Sequence, residues 1–179
     1  MKLSTLAIIL GLGMGSLQIY GLLNPKGFAA AVKKFPRNVA AGVVLMLLAT
    51  VWFIANVNGE SDSDFAAMKP TLMALFVVVG VGSCIYVQDF LAVRGLAVLL
   101  LLLARLMLDT QRLADTDWRW VIGGWAYLLV VGGIWFTITP HRLRDLLEWG
   151  TASERRVKIG CGLRLAFAMF VVALGLTVF

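Results

Sequence analysis

The sequence predicts an all-α polytopic membrane protein, with six transmembrane helices in three tandem hairpins and amphipathic interfacial helices after the first and fifth. Three observations predict it. Hydrophobic residues make up 60% of the 179 positions and charged residues 15%, against ~45–50% and ~25% in soluble domains. Six apolar runs, 3–23, 39–57, 70–87, 90–108, 121–139 and 159–179, approach or exceed the ~20 residues that cross a ~30 Å hydrocarbon layer. Backbone groups in lipid must be bonded within their own segment, so these long, unalternating runs read as helices. Finally, the first and last thirds of the chain share one plan: an apolar run, a proline break, a short charged segment and a second apolar run.

Each element follows from its residues. The first hairpin spans 1–57. Lys2 and the apolar residues after it resemble the start of a signal peptide, but the run continues to Leu23 with no small-x-small cleavage site, so the helix is expected to be retained. Gly11 and Gly15 lie four apart on one face, a spacing that admits a close neighbour. Asn24-Pro25 pairs a favoured N-cap with the residue best tolerated at the first helical position, so a new helix opens over 25–35. Phe28, Ala31, Val32 and Phe35 share one face, with Lys33 and Lys34 off it. Too short to span, this helix suits the membrane surface, its apolar face toward acyl chains. Pro36 stops it, and 39–57 returns across the bilayer.

The second hairpin, 58–108, is a degenerate copy. Its Ser61-Asp62-Ser63-Asp64 segment lacks the length and closing glutamate of a calcium loop and reads as a solvated turn. Gly80-Val81-Gly82-Ser83 echoes Gly13-Met14-Gly15-Ser16, and a tight Gln88-Asp89 turn replaces the surface helix, with Asp89 as the expected N-cap of the next crossing. The third hairpin, 109–179, restores the full plan. Thr139-Pro140 opens a surface helix over 140–150 with Leu143, Leu146 and Leu147 on one face, and Ser153 is placed to cap the last helix. Arg37, Val39, Gly42, Leu45 and Leu47 recur as Arg155, Val157, Gly160, Leu163 and Leu165, the pattern of a parallel internal repeat.

The net charge of +6 is distributed unevenly. Lys26, Lys33, Lys34 and Arg37 crowd the first connection, and Arg142, Arg144, Arg155, Arg156 and Lys158 the fifth. Glu60, Asp62, Asp64, Asp109, Asp115 and Asp117 lie in the intervening ones. Basic loops stay cytoplasmic, which places both termini outside an inner (cytoplasmic) membrane. A basic surface beside anionic headgroups accounts for the charge without nucleic acid, and Lys26, Lys33, Lys34, Arg37, Arg155, Arg156 and Lys158 are the candidate headgroup contacts.

Charges inside the apolar runs invite a functional reading first. Arg105 and Arg164 are the candidate intramembrane contacts for a solute or partner, and Arg94 sits in the same run as Arg105. All three lie within roughly 8 Å of a helix end, a distance a long side chain bridges by snorkelling. No carboxylate falls at mid-depth, so the usual proton or sodium relay is missing. His141, Asp145 and Glu148 share a face of the 140–150 helix, but Arg142 and Arg144 beside them oppose a cation, and this is also what the wet side of a surface helix looks like. A single histidine excludes bis-histidine haem, and Cys84 and Cys161 read as packing residues. Trp52, Trp118, Trp120 and Trp149 suit interfacial anchoring. With no phosphate-binding glycine loop, Ser/His/Asp set or His-Glu-x-x-His, no catalytic, cofactor or metal residue is assigned.

Thr139-Pro140, Leu143, Leu146-Leu147-Glu148, Arg155-Arg156, Ile159-Gly160 and Leu163 together resemble a small two-helix bacterial inner-membrane family of unknown function. The resemblance covers about 125–179 and implies a location without an activity. The expected function is a small, non-catalytic integral subunit or scaffold that packs with itself or with other membrane proteins. The alternative is a small transporter or channel for an anionic or lipid-like solute, using Arg105 or Arg164.

Overall fold

A computed structural model describes residues 2–59 and 68–179; the Ser61-Asp62-Ser63-Asp64 turn and the acidic residues around it lie outside the described residues. The described residues form eight α-helices and no strand. In chain order they are α1 (Leu3–Leu23), α2 (Pro25–Lys34), α3 (Val39–Gly59), α4 (Lys69–Tyr86), α5 (Leu91–Gln111), α6 (Arg119–Ile138), α7 (Pro140–Gly150) and α8 (Glu154–Thr177). A 3-10 turn, Phe35–Arg37, separates α2 from α3. α1, α3, α4, α5, α6 and α8 are long and apolar enough to cross a membrane.

The helix starts show where local chemistry governs and where it does not. Asn24 caps α2, its Oδ1 accepting from the Gly27 amide at 2.9 Å. A Cβ on Gly27 would meet the Asn24 side chain at 2.6 Å, so the cap and the glycine go together. Asn38 caps α3 in the same way, accepting from the Ala41 amide at 3.1 Å. Ser153 caps α8 through the Arg156 amide at 3.3 Å, six residues before the apolar run begins at Ile159. Residues 154–158 are charged or valine, so the helix continues past the point where hydropathy stops.

Two expected caps are corrected. The Thr139 hydroxyl donates back to the Trp135 carbonyl at 3.0 Å, finishing α6 rather than starting α7. The same carbonyl accepts from the Thr139 amide at 2.8 Å, so the residue closes α6 through both its backbone and its side chain. Asp89 does not open α5 either. Phe90 does, with its carbonyl accepting from Val93 and Arg94. Its φ of 54° reverses the chain there, a left-handed conformation unusual for a bulky side chain.

The chain falls into two compact units. The first comprises residues up to Lys34, Leu103–Leu129 and Arg144–Phe179. Its axis is an antiparallel pair, α1 against α8, closed by glycines. A Cβ on Gly11 would come 2.9 Å from the Ala168 carbonyl oxygen, and one on Gly175 would come 3.1 Å from that of Ser4. A Cβ on Gly21 would lie 2.5 Å from Cys161 Sγ. Helices without side chains between them approach to backbone contact and gain dispersion energy there. The start of α6 packs beside α8 through aromatic edges: Trp125 on Phe167 at 5.2 Å and Trp118 on Phe170 at 6.2 Å.

The second unit comprises Phe35–Leu102 and Val130–Leu143. Here α3 runs parallel to α5, and the two exchange glycines: Gly42 faces Leu91 and Ala92, and Gly95 faces Leu45 and Met46. α4 runs antiparallel to α3, with Phe76 stacked on Phe53 at 3.6 Å and Gly80 against Thr50. Gly133 of α6 receives Leu101 of α5.

In both units small residues line many of the helix contacts and numerous large apolar side chains are exposed, although Leu6, Leu91, Met107 and Ile122 are buried. Ala7, Ala49, Ala97 and Ala126 are fully covered, whereas Val78, Leu128, Leu163 and Leu176 are each about 70% exposed. Gly13, Gly82, Gly124, Gly160 and Gly162 have no atom within contact range of a Cβ, so roughly every second member of the glycine clusters faces outward.

Candidate functional site

The residues singled out for headgroup contact come from segments far apart in sequence, and the first unit brings most of them to one end. α2 folds back along the start of α8. Its Phe28 is buried with Val157 and Cys161, while Leu22, Ala29 and Val32 pack around that cluster. Tyr20 adds a tilted ring contact with Phe28 at 6.5 Å. Phe28 and Val32 therefore meet protein, where acyl chains were expected, while Ala31 of the same face is exposed. The reason is steric: Gly21 and the Cys161 thiol leave a recess that a phenyl ring fills, and apolar burial of that ring is worth ~1.5–3 kcal/mol.

Docking α2 on α8 places Lys26 Nζ 3.5 Å from the Glu154 carboxylate, with both side chains more than half exposed. Beside this pair opens a cleft of about 390 Å³. Lys26, Ala29, Ala30 and Lys33 of α2 form one wall, and residues 151–154 with Val157 form the other. Lys26 and Lys33 stand seven residues apart, two turns along the same face, with the alanines between them. The floor is small and apolar, the rim cationic. Ser153 and Glu154, at the start of α8, complete it.

The other basic residues surround this end without lining it. Arg156 lies over the Trp149 ring at 5.2 Å and donates to the Trp149 carbonyl at 3.3 Å, tying α8 to the end of α7. Arg155 and Lys158 are exposed on α8, and Lys34 is exposed at the end of α2. Arg37 belongs to the second unit, in the 3-10 turn.

The intramembrane candidates separate. Arg105 pairs with Asp109 one turn on at 3.6 Å, so its charge is engaged within its own helix. Arg164 is exposed on α8. Arg94 carries a signal that sequence spacing could not reveal: its Nε is buried without a hydrogen-bond partner. The Oε1 atoms of Gln18 and Gln111 are orphaned in the same way.

The His141, Asp145 and Glu148 face of α7 resolves into an ion network. Arg144 binds Asp145 at 2.7 Å and reaches Glu148 at 3.9 Å. The hydrogen bond and the charge of Asp145 hold the Arg144 guanidinium proton more tightly than usual. Among the described residues no group of three His, Cys, Asp or Glu side chains is arranged to hold a metal ion.

At the opposite end of the first unit, Lys2, Thr110, Asp115, Thr116 and Phe179 border a second open cleft of about 460 Å³. The acidic 109–117 connection and both described chain ends thus lie together, away from the basic cluster. Searches of protein-family models, of curated proteins and of solved structures found no match to this chain.

Proposed function

We propose that this chain is a small, non-catalytic integral membrane protein that packs as a subunit or scaffold with other membrane proteins or with copies of itself. The observation that carries the reading is the inverted distribution of side-chain size. Alanine and glycine line many of the helix contacts, while a large number of valine, leucine and isoleucine side chains, Val78, Leu128, Leu163 and Leu176 among them, are exposed along the apolar helices. Water penalises such a surface and lipid does not.

The proposed setting is the bacterial inner membrane, with the basic connections cytoplasmic and both termini outside. The gathering of 26–34 and 154–158 at one end of the first unit, and of 109–117 with the chain ends at the other, supports that orientation. The antiparallel α1/α8 and α3/α4 pairs and the parallel α3/α5 pair have the directions that alternating crossings require. The three-hairpin division belongs to the same proposal, and α6 and α8 of its last hairpin share two aromatic contacts.

The transport reading is favoured by one observation, the unpaired and buried Arg94 Nε, a donor available to an anion. Orientation is tested with single cysteines in a C84A/C161A background. D115C reacts with a membrane-impermeant thiol reagent on intact cells, and A152C reacts only after permeabilisation. The opposite pattern, or equal labelling of both, refutes the arrangement. Native purification with identification of co-eluting chains tests the subunit reading, and uptake of an anionic solute that R94Q abolishes would replace it with transport.

A further inference from the structure

We infer that the cleft between α2 and α8 is a binding site for the phosphate headgroup of an anionic phospholipid, with Lys26 exchanging Glu154 for the lipid phosphate. The inference rests on the membrane reading above and assigns a ligand to its basic end.

The cleft has the features this ligand requires. Lys26 and Lys33 stand two turns apart on one wall, with Ala29 and Ala30 between them and no bulky side chain to fill the space. Lys26 and Lys33 line the cleft with a single carboxylate, Glu154, which pairs with Lys26, so the lining carries an excess of one positive charge, matching a phosphodiester of charge −1. The Ser153 and Thr151 segment borders the same space, although the Thr151 hydroxyl is already committed to the Leu147 carbonyl at 2.6 Å.

Two observations favour a lipid over free phosphate. The floor, formed by Pro25, Ala29, Ala30 and Val157, is apolar and suits glycerol and the first acyl carbons. The recess is also built at the foot of two apolar helices, where a headgroup arrives already concentrated at the surface. The Lys26–Glu154 contact is solvent-exposed and long at 3.5 Å, the kind of ion pair that is easily exchanged. Glu154 therefore acts as an internal competitor of the phosphate.

The test is native mass spectrometry of the full-length protein in detergent, titrated with phosphatidylglycerol and, separately, phosphatidylcholine. A lysine beside an anionic surface contributes about a fivefold gain in binding, so K26A/K33A is expected to weaken retention of phosphatidylglycerol about 25-fold. E154Q frees Lys26 and is expected to strengthen retention about fivefold. K34A, outside the cleft, changes it less than twofold. Equal losses from K34A and from K26A or K33A alone would reduce the effect to unspecific surface charge and overturn the site. So would an unchanged E154Q. Displacement of the lipid by millimolar glycerol 3-phosphate would reassign the site to a soluble phosphate ester. Failure of the membrane reading is separable: it appears as loss of flotation with both phosphatidylglycerol and phosphatidylcholine vesicles. Flotation with both, without a headgroup preference in retention, overturns the cleft alone.

Discussion

Replacing Gly42 by alanine probes a helix contact of the second unit in which the obstruction is backbone. The added methyl would sit 2.7 Å from the Ala92 amide nitrogen and 2.9 Å from the Leu91 carbonyl carbon. Ordinary contact between non-bonded carbons begins near ~3.5 Å, so α3 and α5 must separate by roughly 0.7 Å. Both obstructing atoms are backbone, and no rotamer change relieves them. Overpacking of this kind costs ~1–3 kcal/mol, while alanine recovers ~1 kcal/mol of helix propensity. The expected net loss is about 1 kcal/mol, close to fivefold in the folded-to-unfolded ratio. Gly82→Ala supplies the control, because nothing lies within 4 Å of its Cβ position and only the propensity gain remains.

The quantity to read is the stability difference between the two variants, from unfolding in mixed detergent–dodecyl sulfate micelles followed by circular dichroism. That difference isolates the packing cost of ~1–3 kcal/mol. Gly95→Ala presses the same two helices apart from the other side, against the Met46 nitrogen at 2.9 Å. One separation relieves both, so the double variant should lose less than the sum of the singles. A G42A–G82A difference under ~0.5 kcal/mol would refute backbone contact between α3 and α5.

Three further outcomes follow from the same packing. Gly21→Ala drives a methyl against Cys161 Sγ and should destabilise by ~1–3 kcal/mol, with most of the loss abolished when it is introduced into a C161A background. Additive losses in that cycle would show that the thiol is not the obstruction. Gln18→Met removes an amide oxygen that is buried without a partner and should raise stability by about 1 kcal/mol. A comparable loss instead would reveal that Gln18 is engaged by a second chain or a bound lipid. A Phe53/Phe76 double-mutant cycle to leucine should give a coupling of ~0.5–1.5 kcal/mol for the stacked rings, and a coupling near zero would remove that contact from the α3–α4 pair.

Among the described residues, hydropathy and the proline breaks located the six long helices and the two short ones, because both are local signals. Where it failed, it failed at ends. The apolar run begins only at Ile159, yet α8 starts at Glu154, as the Ser153 capping signal indicates, since helical hydrogen bonding continues through charged residues that hydropathy counts as loop. Thr139 and Asp89 have capping chemistry but lose the competition, one to the Trp135 carbonyl, which it bonds through both amide and hydroxyl, and the other to a left-handed Phe90. Which helices pair was not legible, because two faces of small residues look alike whatever they meet. Gly42 and Gly160 hold equivalent places in the proposed repeat, yet Gly42 touches backbone while Gly160 meets nothing within 4 Å. The cleft was legible only as scattered lysines. Its second wall comes from Glu154, whose distance from Lys26 in sequence gave no hint of the 3.5 Å between them in space.

The pairing of α1 with α8 sets an order of events during biosynthesis. α1 is the first described helix to leave the ribosome, and the surface that Gly11 and Gly15 open for Val172 and Ala168 stays vacant until α8 has been translated. At ~5–20 residues per second that interval is on the order of ten seconds. Throughout it that face of α1 lacks its helix partner, and a chain truncated before α8 never closes it.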